Sequence, residues 1–432
     1  MTRKIKAALL GAGTVGSGVV EVLKMNAKEI TERVGAPIEL KTVLVHNLNK
    51  KRPFLQGLNI TDNYEEILAD EEIKVVIELM GGKEPARTYM LQAMAAGKSV
   101  VTANKDVVAE FGHELFDAAE KNDVDFQFEA SVGGGIPIIT PLKQCLTANR
   151  ITEIMGIVNG TTNYMLTQMS LHGADYNTVL HEAQEKGYAE ADPSADVDGL
   201  DAARKLAILA SIAFNTRVQL KNVSVEGITN ITPEDIRYAR DLGYVVKLLA
   251  IGKDSERDGI DVRVHPVFLP QNHPLASVNG VYNAIFVHGN AIGDAMFYGQ
   301  GAGSLPTASA VVADVIDVAR DIMNSTYGRV RCTCYEHKPI CPLEKTSSCY
   351  YIRLLVEDKP GVLGAIATTF GKADVSLKSV IQTHRDTEAR AEIVAITHRV
   401  THAKIQTALE AFGNLDVVDK IRNVIRVENE SD

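Results

Sequence analysis

The stretch "IKAALLGAGTVGSGVVEVL" (5–23) constrains this chain more than any other. A short apolar run leads into Gly11, Gly13 and Gly16, spaced G-x-G-x-x-G, and an apolar helical pattern follows. Gly11 permits a tight turn, Gly13 lets a pyrophosphate approach the backbone, and Gly16 lets helix and strand pack closely. The helix N-terminus, with Thr14 and Val15 in its loop, then faces the negative charge. Four more apolar runs follow: "LKTVLVHN" (40–47), "KVVIELMGG" (74–82), "SVVTANK" (99–105) and "DFQFEASVGGG" (125–135). Helical segments separate them. Strand and helix in alternation predict an α/β fold whose N-terminal part is a Rossmann-type, doubly wound parallel sheet.

The texture then changes. "RITEIMGIVNGTTNYMLTQM" (150–169) and the extended runs "IDVRVHPVFLP" (260–270) and "GVYNAIFVHGNAIG" (280–293) predict an α+β domain. "GQGAGSLPTASAVVADVIDVARDIM" (299–323) is a glycine loop and a long helix. From Tyr350 the order strand, "DKPG" turn, helix, strand, strand, helix, strand makes a ferredoxin-like βαββαβ unit. The expected division is a nucleotide-binding domain at 1–142 and a catalytic and dimerisation domain at 143–304. A helix returning to the nucleotide domain follows at 305–330, then a Cys-rich linker at 331–348 and a regulatory domain at 349–432.

The net charge of −10, with no long basic run, argues against nucleic-acid or anionic-membrane partners. No apolar run is long enough to span a bilayer. The basic, then apolar, N-terminus runs straight into the glycine turn, so the chain reads as cytoplasmic. Cys145 stands alone, whereas Cys332, Cys334, Cys341 and Cys349 cluster late, unlike a secreted disulfide framework. With His337 the cluster has enough ligands for tetrahedral zinc. Its spacing matches no usual C-x₂-C pair, and the expected state is a reduced linker.

The end of the second strand distinguishes NAD from NADP. An acid there would bind the ribose hydroxyl. This chain has His46 and Asn47 instead, followed by Lys50, Lys51 and Arg52. The run favours a 2′-phosphate and so NADP; a solvated basic turn is the other reading.

"GYAEADPSADVDGLDAARKLAIL" (187–209) gathers Glu190, Asp192, Asp196, Asp198 and Asp201 ahead of an apolar helix that carries Lys205. Asp201 and Lys205 share a helix face. An exposed ion pair would do that too, but the same face continues through Ile208 and Ile212. A solvated stripe would have stayed polar. Charges at the start of a buried helix suit a substrate ammonium and a proton transfer. "VVTANK" sets Asn104 and Lys105 past the carboxyl end of a parallel strand, where open α/β sheets bind ligands. In "EASVGGGIP" three glycines free the backbone to turn carbonyls toward a monovalent cation or a cofactor.

Together "GAGTVG", "TANK", "EASVGGGIPII", "GIVNGTTNYML", "GYAEADPSADVDGLDAARKLAIL" and "YGQGAGSLPTASAV" resemble homoserine dehydrogenase over residues 5–325. "VEDKPGVLGAIATTFGKADVSLKSVIQ" resembles an ACT regulatory domain, the arrangement of monofunctional bacterial members. The resemblance implies reversible, NADP-dependent conversion of L-homoserine and L-aspartate 4-semialdehyde in threonine, methionine and isoleucine biosynthesis, with NAD as the alternative cofactor. It makes Lys205 the general acid/base and Lys105 the second catalytic lysine, near nicotinamide and substrate. Glu190 and Asp201 then hold the amino-acid end of homoserine. Gly187, Gly301 and Gly303 approach the cofactor beside Thr14 and Val15. A sodium ion falls on backbone oxygens of Glu129, Val132, Gly134 and Ile136. Asp358 and Gly361 lie where an effector, threonine as end product, binds beside a partner chain in a homodimer or homotetramer. Another Rossmann amino-acid reductase and a non-catalytic amino-acid sensor are the competing readings.

Overall fold

The computed structural model describes residues 4–255, 257–385 and 390–428. The chain folds as two compact units, each assembled from three stretches. The first takes 1–154, 204–222 and 282–337; the second takes 155–203, 223–281 and 338–432.

The first unit carries a six-stranded sheet of β1 (Ile5–Leu10), β2 (Ile38–Leu44), β3 (Asn59–Thr61), β4 (Ile73–Glu78), β5 (Ser99–Thr102) and β6 (Phe126–Gln127). Its order is β3-β2-β1-β4-β5-β6, with every pair parallel. The order reverses between β1 and β4, which leaves a crevice at their carboxyl ends. Ala7, Ala8, Leu9 and Leu10 are fully buried, as a central parallel strand covered on both faces requires. Helix α1 (Thr14–Met25) covers one face together with the late helix Ser304–Asn324, whose Val311, Val315, Val318 and Ile322 enter the same core. The two helices are so close at Gly18 that a Cβ there would sit 2.5 Å from the Ser304 carbonyl oxygen. An antiparallel hairpin, Tyr282–Gly289 with Gly293–Gln300, completes the unit.

The second unit is built on one continuous run of strands. Tyr244–Ser255 pairs antiparallel with Gly259–Pro270 along their full length. The βαββαβ motif follows: strands Ser347–Glu357, Leu377–Arg385, Arg390–Thr397 and Val418–Val427, with helices Val362–Lys372 and His402–Phe412. Its last strand joins Gly259–Pro270 in parallel at Val267–Arg426 and Phe268–Val427. Within the segment read as a linker, the Cys341 N–H donates to the Ile260 carbonyl (2.8 Å).

A buried ionic cluster lies in this unit. The Arg353 guanidinium pairs with Asp235 (3.0 Å) and Glu392 (3.3 Å) and donates to the Thr232 hydroxyl (2.9 Å). Tyr351 and Asn423 also donate to Asp235. Among the described residues no helix is long and apolar enough to cross a membrane.

Candidate active site

The three glycines of the first turn have different physical causes. Gly11 takes φ +98°, and a Cβ there would sit 2.6 Å from the Leu79 carbonyl oxygen. A Cβ on Gly16 would overlap the Gly11 carbonyl. The fold itself therefore demands both. Gly13 has an ordinary φ of −88°, and nothing lies within 4 Å of the place its Cβ would take. The folded chain has no need of a glycine there, whereas a ligand pressed against the backbone does. Two experiments separate these roles. Gly16→Ala is expected to lower the thermal midpoint, since a backbone atom must move. Gly13→Ala is expected to melt as the parent does and to lose nicotinamide nucleotide affinity by roughly ten-fold or more, about 1.4 kcal/mol. A calorimetric titration unchanged by Gly13→Ala would remove the phosphate from this turn.

α1 has no acid in its first turn and no side-chain cap, so its N-terminal N–H groups face outward. Ser304 Oγ donates to the Thr14 carbonyl (2.7 Å), which ties the start of the late helix to the turn. Gly303, with φ +123°, precedes it. A Cβ on Gly134 would run into the Gly301 backbone, and one on Gly301 into the Asn283 side chain. The structure thus links the 11–16 turn, the 301–304 loop and the 133–136 loop.

At the end of β2, one guanidinium nitrogen of Arg52 donates to the carbonyls of Asn47 (2.9 Å) and Lys50 (3.1 Å). Asn47 Oδ1 accepts the Asn49 N–H (2.9 Å). Arg52 shapes the turn, while Lys50 and Lys51 are exposed.

Glu78, fully buried at the end of β4, organises the next loop. Its carboxylate accepts the Thr102 hydroxyl (2.6 Å) and the Met80 N–H (2.7 Å). Burial raises its pKa. Asn104 Oδ1 caps the Lys105–Lys121 helix at Val107 N (3.3 Å), and its Nδ2 donates to the Gly82 carbonyl (2.7 Å). Sequence reasoning missed Glu78; the available signal was a carboxylate closing a strand of otherwise apolar residues. Lys105 opens its helix beside Asp106. Asp106 pairs with Arg204 Nε at 2.8 Å, and Arg204 precedes Lys205 on the Leu200–Ala213 helix. One ion pair therefore joins the residues next to both predicted catalytic lysines. Lys205 is half-buried.

Glu129 is nearly buried. Its carboxylate accepts the N–H groups of Ile138 (2.6 Å), Ile139 (2.8 Å) and Thr140 (2.7 Å), and its own N–H donates to Asp314 (2.8 Å). The side chain is spent on holding the loop, which leaves backbone carbonyls for any cation.

In the second unit the acidic run sorts itself by burial. Asp201 is 6% exposed, Asp196 is half-buried, and Glu190, Asp192 and Asp198 are exposed. Asn159 Nδ2 donates to both Asp196 (2.7 Å) and Asp201 (3.0 Å), while its Oδ1 caps the Gly160–His172 helix at Thr162 N (2.9 Å). Asp192 accepts the Ser194 N–H (3.1 Å) and shapes a turn. The Glu190 carbonyl accepts from Gln184 (3.1 Å), and Gly187 takes φ +71°. Asn159 was also missed, although it stands in the quoted "GIVNGTTNYML". Asp201 and Lys205 lie one turn apart on one helix, as their spacing required.

A G-x-G-x-x-G turn on a doubly wound sheet, with two lysines beside one ion pair, is the frame of a nicotinamide-nucleotide oxidoreductase. The family model for the homoserine dehydrogenase NAD-binding domain matches residues 11–129, that for homoserine dehydrogenase matches 137–316, and that for the ACT domain matches 350–417. A homoserine dehydrogenase of Synechocystis is 48% identical over 98% of this chain and 99% of its own, and one of Bacillus subtilis is 42% identical over 99% of each. The crystal structure of a homoserine dehydrogenase from Thiobacillus denitrificans covers 99% of this chain and 98% of its own, with TM-score 0.94 and 43% identity. The chain belongs to the homoserine dehydrogenase family and carries its ACT domain.

Proposed function

We propose that the protein interconverts L-homoserine and L-aspartate 4-semialdehyde, passing hydride to or from NADP. The observation that carries this reading is the Asp106–Arg204 ion pair, which holds the starts of the two lysine-bearing helices together. The bound nucleotide supplies or accepts the hydride. Lys205 moves the proton at the reacting oxygen, and Lys105 orients that oxygen and the nicotinamide carboxamide. Asp201 and Glu190 hold the substrate ammonium. Asn159 fixes the Asp201 carboxylate, so that one acceptor geometry is ready before substrate arrives. Gly187, Gly301 and Gly303 give the nucleotide close backbone approach. A homoserine dehydrogenase from a hyperthermophilic archaeon, 26% identical over 73% of this chain with TM-score 0.63, is known in complex with NADPH.

NADP is preferred because Lys50 and Lys51 stand on a turn that Arg52 has already shaped. Replacing both lysines with alanine should raise KM for NADP by roughly ten-fold or more and leave KM for NAD within about two-fold, since charge on a bound phosphate is worth about 1–3 kcal/mol in such pairs. Equal effects on the two cofactors would mean a solvated turn only.

Gly133 and Gly134 both take positive φ (73° and 55°), so the loop can present carbonyls of Glu129, Val132, Gly134 and Ile136 to sodium. Among the described residues no group of three or more His, Cys, Asp and Glu gathers to hold a metal. At the ACT domain, Gly361 is the left-handed N-cap (φ +93°) of the Val362–Lys372 helix, with Asp358 in the turn before it. Threonine is the proposed effector there, in a cytoplasmic homodimer or homotetramer that light scattering would size. One experiment tests the set: homoserine oxidation with NADP and with NAD, with and without threonine, and with sodium replaced by tetramethylammonium. No turnover of homoserine with either cofactor would sink the reading. Inhibition by threonine that survives Gly361→Val would move the effector away from the ACT turn.

A further inference from the structure

A cavity of about 620 Å³ lies inside the first unit, between the Lys105–Lys121 and Leu200–Ala213 helices. Val108 and Phe116 of one helix and Ile208 and Ile212 of the other form apolar walls. Lys143, 7% exposed, also lines the cavity. Its Nζ has no hydrogen-bond partner and lies over the rings of Phe116 (4.8 Å) and Phe128 (5.5 Å). A buried ammonium is costly unless an anion compensates it. Cys332 and Cys334 lie on the same wall, half-buried, as free thiols.

The chain turns tightly at Cys334, where the Tyr335 N–H donates to the Thr333 carbonyl (3.0 Å) and the Cys334 thiol donates to the Ser211 carbonyl (3.6 Å). The neighbouring Cys334 pulls the Cys332 pKa down to about 6, with Lys143 and Arg217 adding to it. The neighbouring Cys332, with burial, raises that of Cys334. Burial pushes Lys143 down to about 8. Glu110, His113 and Lys221 are the other titratable groups lining the cavity.

We infer that Cys332 and Cys334 form a reactive-thiol site, oxidised by a hydroperoxide to an intramolecular disulfide. The Cys332 thiolate attacks the terminal peroxide oxygen. The O–O bond breaks, water or an alcohol leaves with one proton taken up, and Cys332 becomes a sulfenic acid. The Cys334 sulfur then attacks that sulfenic sulfur, an S–S bond forms, and water carries away the thiol proton and the hydroxyl. The two sulfurs lose two electrons in all, and the peroxide gains them. A dithiol reductant reverses the change.

The site is coupled to the chemistry proposed above. Lys105 and Lys205 sit one turn before Val108 and Ile208, on the two helices that wall the cavity. Oxidation removes a thiolate from the cavity that Lys143 lines, leaving Asp314 and Glu129 as the acidic groups acting on its ammonium, and the apolar walls must readjust.

The test uses the full chain with Cys145→Ser, so that the exposed thiol is silent. Stoichiometric hydrogen peroxide should cost the protein two thiols, and peptide mass analysis should place a two-hydrogen loss on 332–334. In the parent chain, brief iodoacetamide treatment at pH 7 should label Cys332 about ten-fold faster than Cys145, because the surroundings of Cys332 favour its thiolate. Lys143→Met should move the midpoint of that labelling to higher pH. The oxidised protein should lose kcat at least five-fold and regain it with dithiothreitol, while Cys332→Ser keeps its kcat through peroxide. Labelling of Cys332 no faster than Cys145, or peroxide leaving both thiols titratable, would overturn the site. A 332–334 disulfide that leaves kcat unchanged would overturn the coupling. The labelling and mass readouts do not depend on the substrate, so they stand apart from any failure of the homoserine reading.

Discussion

Lys205→Ala is expected to lower kcat by roughly 10²–10⁴-fold, the scale on which a positioned general acid or base acts. The expected loss is this large because neither chain neighbour of Lys205 can take its place. Arg204 is committed to Asp106 at 2.8 Å, and the helix beyond turns apolar through Leu206, Ala207 and Ile208. The mutation should leave the fold intact. Lys205 is half-buried and the neighbouring ion pair stays, so the far-ultraviolet spectrum and thermal midpoint should match the parent. The diagnostic is the split between turnover and binding: kcat should fall while cofactor and homoserine binding are kept. A kcat near that of the parent, with the fold intact, would end the assignment of Lys205. A fall in nucleotide affinity of the same size as the fall in kcat would instead make it a binding residue.

The second large effect is on stability. Arg353→Met should destabilise the protein by about 3–5 kcal/mol, because removing one partner leaves buried charge uncompensated. Asp235 and Glu392 are 0% and 2% exposed and face the guanidinium directly. Asp235 also closes a capping box with Thr232 on the Pro233–Asp241 helix, so the loss spreads to a helix start. The urea midpoint should fall with little change of slope. A loss below about 1 kcal/mol would mean that water enters the cluster and screens it. The same cluster decides how the ACT domain should be studied. Cutting the chain ahead of Ser347 would remove Arg353, Tyr351 and Asn423 from Asp235 and unpair Val267 and Phe268. Threonine sensitivity is therefore better read in the whole chain with single substitutions than in a truncated one.

The parts that could be read from the sequence are local ones. A strand running into G-x-G-x-x-G and then an amphipathic helix is one continuous piece of chain, so its geometry follows from residues that are neighbours anyway. The βαββαβ order after Tyr350 is legible for the same reason: each element is marked by its own periodicity and its own turn. The Asp201–Lys205 spacing is a helical fact before it is a structural one. The family signature from Gly187 to Lys205 is likewise written in consecutive residues.

The tertiary structure supplied the atoms that make Gly11 and Gly16 obligatory, the Leu79 and Gly11 carbonyls, which the motif does not name. It alone placed Asp106 against Arg204, 98 positions apart, and Asn159 against Asp201. It set Cys332, Cys334 and Lys143 around one cavity. The physical reason is the same in each case. Periodicity and turn chemistry act over a few residues, whereas a buried charge or a cavity wall takes its meaning from atoms that the chain brings back from far along its length.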